Sequence, residues 1–136
     1  MKRPELAVVM PVYNEEGAIR NVIRKWSDEL QRLEIDFEIH AYNDGSKDKS
    51  LQVLRELASQ NPGLIIYDKA NSGHGPTILQ GYRENSRAEW IFQIDSDDEI
   101  GCEGFEELWK NRKRYSFLIG HRIRERQPLS RKVVNA

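Results

Sequence analysis

The chain has 136 residues, 38% of them hydrophobic and 32% charged, with a net charge of −1; this balance excludes a disordered polymer and fits a single soluble globular domain. A lone cysteine, Cys102, excludes an internal disulfide and fits a reducing compartment. No apolar run approaches the length of a membrane span, and Met1-Lys2-Arg3-Pro4-Glu5 is not followed by the apolar stretch of a signal peptide. Charge is uneven, however: residues 110–136 carry nine Lys or Arg against one acid, Glu125. A basic end favours an anionic partner (a phosphate, a phospholipid or nucleic acid), although a solvated basic helix has the same composition.

In chain order, Leu6-Ala7-Val8-Val9-Met10-Pro11 reads as a buried strand. Residues 15–33 follow with one apolar stripe at helical spacing (Ala18, Ile19, Val22, Ile23, Trp26, Leu30, Leu33), with Asn14 placed to cap it and Glu15 and Glu16 suited to its first turn. A second strand is expected over Phe37–Tyr42, then loop chemistry at Asn43-Asp44-Gly45-Ser46. A second helix is expected from about Lys47 to Ser59, stopped by Asn61-Pro62-Gly63. Leu64–Tyr67 is a third strand, and Asn71-Ser72-Gly73-His74-Gly75-Pro76 is a glycine-rich loop that opens a third helix. Ala88–Ile94 is a fourth strand, Glu103–Arg114 a fourth helix with Trp109 on its inner stripe, and Phe117–Gly120 a fifth strand. Alternation at this spacing predicts an α/β fold: a mostly parallel, Rossmann-like sheet with helices on both faces. No linker or repeat splits it, so residues 1–136 read as one domain.

The unusual residues cluster just after strands, where parallel α/β sheets bind their ligands. Asp95-Ser96-Asp97 ends the fourth strand. On extended backbone its two carboxylates share a face, and they repel unless a cation or a proton is shared. Hard oxygen ligands suit Mg²⁺ or Mn²⁺, and Mg²⁺ commonly takes one or two carboxylates together with substrate phosphates. A solvated acidic turn is the plain alternative. An EF-hand is excluded, because Ile100 stands where such a loop needs glycine and a strand comes before it. Asp44 is either a turn former or an acid that accepts a hydrogen bond from a ligand. The Asn71–Gly75 loop resembles a phosphate cradle, but no Gly-Lys-Ser/Thr follows as in a Walker A loop. His74 could touch a phosphate or cap the helix; His40 reads as packed or surface, Trp26 as core and Cys102 as a small filler. No zinc spacing and no G-x-S-x-G elbow occurs. The usual nucleic-acid modules are absent, so nucleic acid is not expected as a partner.

Taken together, Val8 to Glu16, Asn43 to Asp48, Asn71-Ser72-Gly73 with Gly81 downstream, and Asp95-Ser96-Asp97 resemble the family 2 glycosyltransferases, over roughly residues 5–126. The closest flavour is that of the dolichol-phosphate mannose synthase and polyprenyl-phosphate sugar transferase branch. The resemblance implies the GT-A fold and inverting transfer of a sugar from a UDP- or GDP-sugar to a saccharide or lipid-phosphate acceptor. It implies Pro11, Tyr13 and Glu15 in the nucleotide pocket, Asp44 on the base, Asn71 and Gly73 near ribose and diphosphate, and Asp95 and Asp97 on the metal and diphosphate. A phosphate acceptor needs no general base but does need cations. Arg122 and Arg124 in Gly120-His121-Arg122-Ile123-Arg124-Glu125-Arg126 look like that branch's arginine-rich segment, so Asp97, Arg122 and Arg124 are the implied catalytic residues. A cytoplasmic site at the inner face of a membrane, with peripheral contact, fits a lipid acceptor. Two departures stand out. Asn43 replaces the first acid of the usual Asp-Asp-Gly-Ser, which bears on base preference. Family domains also usually continue past this length, through a later acidic motif and Gln-x-x-Arg-Trp, so the resemblance implies a chain shortened on its acceptor side, able to bind donor without completing transfer.

Overall fold

The computed structural model describes residues 3–99 and 101–114, which fall in two compact units divided after Glu99. The first unit is a four-stranded sheet with three helices. Its strands are β1 (Leu6–Val12), β2 (Phe37–Asp44), β3 (Leu64–Lys69) and β4 (Trp90–Gln93). Its helices are α1 (Ile19–Arg32), α2 (Ser50–Ala58) and α3 (His74–Glu84). Every pairing is parallel and the order is β3-β2-β1-β4. This is the α/β architecture expected from the alternation. The fifth expected strand, Phe117–Gly120, lies outside the described residues.

β1 is buried at every position. A strand covered on both faces has no solvent side, which is why its sequence is a continuous apolar run rather than an alternating one. Pro11 is tolerated within it because pairing with β4 ends at Val9 and Gln93, short of the proline. Val8 and Val9 show the two faces, since neighbouring residues on a strand point to opposite sides. Val9 lies under α3: a Cβ on Gly81 would run into its side chain and come within 3.3 Å of Tyr42 Cε1. Glycine at 81 therefore lets α3 lie close on β1 and β2. Val8 registers with Phe92, whose ring centroid is 5.6 Å from that of Trp26 on α1. Trp26 is 4% exposed, so it is core as expected. Trp26→Ala is expected to cost about 3–5 kcal/mol, the usual range for emptying a buried aromatic site. Urea denaturation measures it, and a loss below about 1 kcal/mol would show that this contact does not hold α1 to the sheet.

α1 begins at Ile19, four residues later than the sequence predicts, and Asn14 does not cap it. Asn14 takes a left-handed conformation (φ 52°) and bonds across to the β2–α2 loop, its Oδ1 accepting from Lys47 N at 2.8 Å and its own N–H donating to Ser46 Oγ at 3.0 Å. The N–H groups of Glu15 and Glu16 donate to Ser50 Oγ (2.7 Å) and Asp48 Oδ2 (3.2 Å). Partners more than thirty residues away thus satisfy donors that a local cap would otherwise serve.

The second unit contributes α4 (Phe105–Lys110) and a 3-10 turn at Arg112–Arg114. The expected single helix over Glu103–Arg114 is shorter for two local reasons. Gly104 enters in the left-handed region (φ 87°), and the Asn111 side chain donates to Glu107 O at 2.8 Å, in competition with the helical backbone. Trp109, expected in the core, is half-buried, with the Arg112 guanidinium 3.8 Å above its ring. Among the described residues no helix is long and apolar enough to cross a membrane.

Candidate functional site

The connection from β3 jumps back past β2 and β1 to β4. The strand order therefore reverses between β1 and β4, and a crevice opens at their carboxyl ends. A cavity of about 510 Å³ lies there, within the range of small-molecule sites. Pro11, Val12, Tyr13 and Glu15 wall it from the end of β1, and Asp44 from the end of β2. Asn71 and Gly73 come from the β3–α3 loop, His74 from the first residue of α3, and Asp95, Ser96 and Asp97 from beyond β4. Pro11, Tyr13, Glu15, Asp44, Asn71, Gly73, Asp95 and Asp97, the residues that the family resemblance implies, thus line one cavity. Arg122 and Arg124 lie outside the described residues. Tyr13 is 44% exposed, a large aromatic surface at the end of the first strand.

Asp44 is not a turn residue. It is the last residue of β2, 3% exposed, and is held entirely by donors. Its Oδ1 accepts from Lys69 Nζ at 2.7 Å and Ser72 N at 2.8 Å, and its Oδ2 from Gly73 N at 3.0 Å. Burial by itself raises the carboxyl pKa, but the Lys69 ammonium and the two backbone N–H groups outweigh it and hold Asp44 below the ordinary carboxylate value. Asn71 Nδ2 donates to Asp44 O at 2.8 Å, which ties the glycine-rich loop to the strand end.

Lys69 escaped the sequence reading because the third strand was expected to stop at Tyr67. β3 runs two residues further, and its register sets Lys69 opposite Asp44 and Asp68 opposite Asn43. An Asp-Lys pair directly after an apolar run was the available signal. Asn43 precedes Asp44 on β2. It is buried and donates through Nδ2 to Asp68 Oδ1 at 3.1 Å, on the face opposite Asp44, and it does not line the cavity. Its replacement of the usual acid therefore bears on the Asp68 contact, where a second carboxylate would repel.

The acidic cluster divides. Asp98 takes a left-handed conformation (φ 62°) and accepts from Asn21 Nδ2 at 2.6 Å and Lys25 Nζ at 3.2 Å, pinning the loop to α1. The Asn21 hydrogen bond first, and then Lys25, hold its carboxyl below the ordinary value despite partial burial. Asp95 and Asp97 remain on the cavity wall. Asp95 Oδ1 accepts from Gln93 Nε2 at 2.9 Å, with His74 Nε2 3.7 Å away. Asp97 Oδ1 accepts from Glu99 N at 3.1 Å. Glu15 feels this crowding: burial first, then the Asp97 and Asp48 charges, push its carboxyl pKa up. A divalent cation is what such a wall would favour. Among the described residues, though, no group of three or more His, Cys, Asp or Glu side chains is arranged to hold a metal unaided. Asp95 and Asp97 fit an ion that completes its shell from phosphate and water.

His40 is packed, as expected, between Tyr67 Oη (2.7 Å from Nδ1) and Glu38 Oε1 (2.9 Å from Nε2). Burial keeps its pKa below the ordinary value even with Glu38 beside it. It lies outside the cavity wall.

A four-stranded parallel α/β sheet with acids and a glycine-rich loop at its carboxyl edge is GT-A-like in its fold. The chain matches glycosyl transferase family 2 over residues 7–134, and it belongs to that family. An undecaprenyl-phosphate 4-deoxy-4-formamido-L-arabinose transferase of Pseudomonas fluorescens is 32% identical over 94 residues, covering 68% of this chain and 27% of the relative. S. aureus TarS 1–349, solved in complex with UDP, superposes with a TM-score of 0.65 at 22% identity, over 82% of this chain and 33% of that one. The mannosyltransferase PcManGT of Pyrobaculum calidifontis, solved with GDP-Man and Mn²⁺, gives a TM-score of 0.60 at 21% identity, over 71% of this chain and 28% of that one. At these identities the two structures share the fold. The chain spans roughly a third of the length of the curated relatives it matches, such as 36% of the Pseudomonas aeruginosa transferase.

Proposed function

We propose that this chain is the nucleotide-sugar-binding part of a single, metal-dependent, inverting glycosyltransferase domain. The observation that carries the reading is the convergence of four strand-end segments on one cavity whose wall holds Glu15, Asp95 and Asp97 together. In this reading Pro11, Tyr13 and Glu15 border the nucleotide, with the exposed Tyr13 ring available to stack on the base. Asp44 accepts a hydrogen bond from the base, and Asn71 and Gly73 approach ribose and diphosphate. Asp95 and Asp97 would hold Mg²⁺ or Mn²⁺, which when bound supplies charge neutralisation for the departing nucleoside diphosphate. The acceptor we assign is a polyprenyl phosphate at a membrane surface, supported by the undecaprenyl-phosphate transferases among the relatives. Arg122 and Arg124 would hold its phosphate, which attacks the anomeric carbon from the face opposite the leaving group.

Calorimetric titration of UDP and GDP, with Mn²⁺ or with chelator, tests the donor site. Wild type is expected to bind one of the two in a Mn²⁺-dependent manner, and Asp97→Ala to weaken binding about tenfold or more, since removing a ligand of a charged phosphate site costs at least about 1.4 kcal/mol. A folded wild type that binds neither nucleotide would overturn the reading, as would binding indifferent to chelator and to Asp97→Ala.

A further inference from the structure

An ionised carboxylate offers about four lone-pair positions on its two oxygens. Three of those on Asp44 are occupied by donors, and the remaining one, on Oδ2, belongs to a residue that lines the cavity. The lysine responsible is itself fixed. Lys69 Nζ also donates to Ser72 Oγ at 2.6 Å, Ala70 O at 2.9 Å and Thr77 Oγ1 at 3.3 Å. Its side chain is 14% exposed and that of Asp44 5%, so the pair is screened from water. One lysine thus joins the end of β2, the β3–α3 loop and the first turn of α3.

We propose that Lys69, resting on the donor-site reading above, determines which nucleobase the site accepts. By keeping Asp44 an acceptor and not a donor, it admits a base that presents an N–H at that edge, as uracil and guanine do. It rejects one that presents a lone pair there, as cytosine and adenine do. Lys69 is a positioning residue, since it acts through Asp44.

The consequence is a pH signature. Lys69 is the ionisable group that contacts Asp44 from β3, while Glu15, His74, Asp95 and Asp97 line the same cavity. Without the ammonium, a buried Asp44 takes up its proton at higher pH. As pH falls it becomes a donor, able to serve cytosine N3. His74 is the same residue in wild type and variant, so whatever it contributes at the cavity is common to both.

The experiment is a titration of UDP, GDP, CDP and ADP, with Mn²⁺, into wild type, Lys69→Met and Lys69→Arg at about pH 5.5 and about pH 8. Thermal midpoints check that each variant is folded. Wild type is expected to prefer UDP or GDP over CDP and ADP about tenfold or more at both pH values. In Lys69→Met the ratio of UDP to CDP affinity should fall several-fold, and further at the lower pH; Lys69→Arg, which keeps the cation, should restore a ratio independent of pH. If Lys69→Met does not fold, Lys69→Gln replaces it, neutral but still able to donate to Ser72 and Thr77. A folded neutral variant with the wild-type ratio at both pH values overturns the role of Lys69 alone. A wild type that binds none of the four nucleotides overturns the donor site and this inference together.

Discussion

Asp44→Asn is expected to cost about 3–5 kcal/mol of folding stability at neutral pH, the range seen when one partner of a buried ion pair is removed. The substitution keeps the shape and changes the chemistry. Lys69 Nζ, Ser72 N and Gly73 N are all donors aimed at the carboxylate. An amide turns one acceptor into a further donor, so at least one of these contacts becomes repulsive and the buried ammonium loses its counter-charge. The pH dependence follows from the sign of the shift. The folded-state pKa of Asp44 lies below its ordinary value, so its contribution is present above that value and is lost as pH falls through the folded one. The stability gap between wild type and Asp44→Asn should therefore be widest near neutrality and should close in acid. Urea denaturation at about pH 7 and about pH 3 measures both ends. Equal stability at neutrality would mean that burying this pair costs as much as its attraction returns.

Gly45→Ala is expected to disturb stability and site at once. Gly45 has φ 68°, in the left-handed region, where a side chain costs roughly 1–2 kcal/mol. Its Cβ would lie 2.7 Å from Asn71 N and 2.9 Å from Asn71 Cβ. Backbone there cannot rotate away as a flexible side chain could, so overpacking adds about 1–3 kcal/mol. The sum of roughly 3 kcal/mol lowers the thermal midpoint by about 10 °C in a chain of this size. The displaced segment carries Asn71, which bonds Asp44 O, and leads to Ser72 and Gly73, which bond its carboxylate. Nucleotide affinity should fall with it by about tenfold or more, given how steeply a misplaced contact weakens a site. Gly17→Ala is the control: nothing lies within 4 Å of a Cβ there, so its effect should stay within about 0.5 kcal/mol. Equal losses at the two glycines would show that the Gly45–Asn71 approach carries no special strain.

Much of the fold was legible because burial leaves a periodic trace. The α1 stripe is helical in its spacing, and five of its members are buried where the spacing puts them. β1 is apolar throughout because both of its faces are covered. Boundaries were less legible. Asn14 carries the local signature of a helix cap, but Lys47 and Ser46 claim it, and nothing local encodes that competition. The sequence marked Gly81 as part of a motif. That it serves packing against Val9 and Tyr42 is visible only with α3 laid on the sheet.

By itself, the sequence determined the α/β class, the placement of polar clusters after strands, and the candidates Pro11, Tyr13, Glu15, Asp44, Asn71, Gly73, Asp95 and Asp97. The class and the clusters follow from local composition and from the rule that parallel sheets expose their loops at one edge, while the choice of individual residues within the clusters is what the resemblance to the family 2 glycosyltransferases implies. Tertiary structure alone decided which acids face the cavity. Asp98 stands next to Asp97 in the chain, yet Asn21 and Lys25 draw it to α1. Asn43 stands next to Asp44, yet the pleat turns it to the other face and to Asp68. It also decided that Asp44 meets Lys69, a pairing set by the register of β2 on β3 across 25 residues of chain. Periodicity reports whether a residue is buried; which charges meet depends on strand register, and register is set by the packing of the whole sheet.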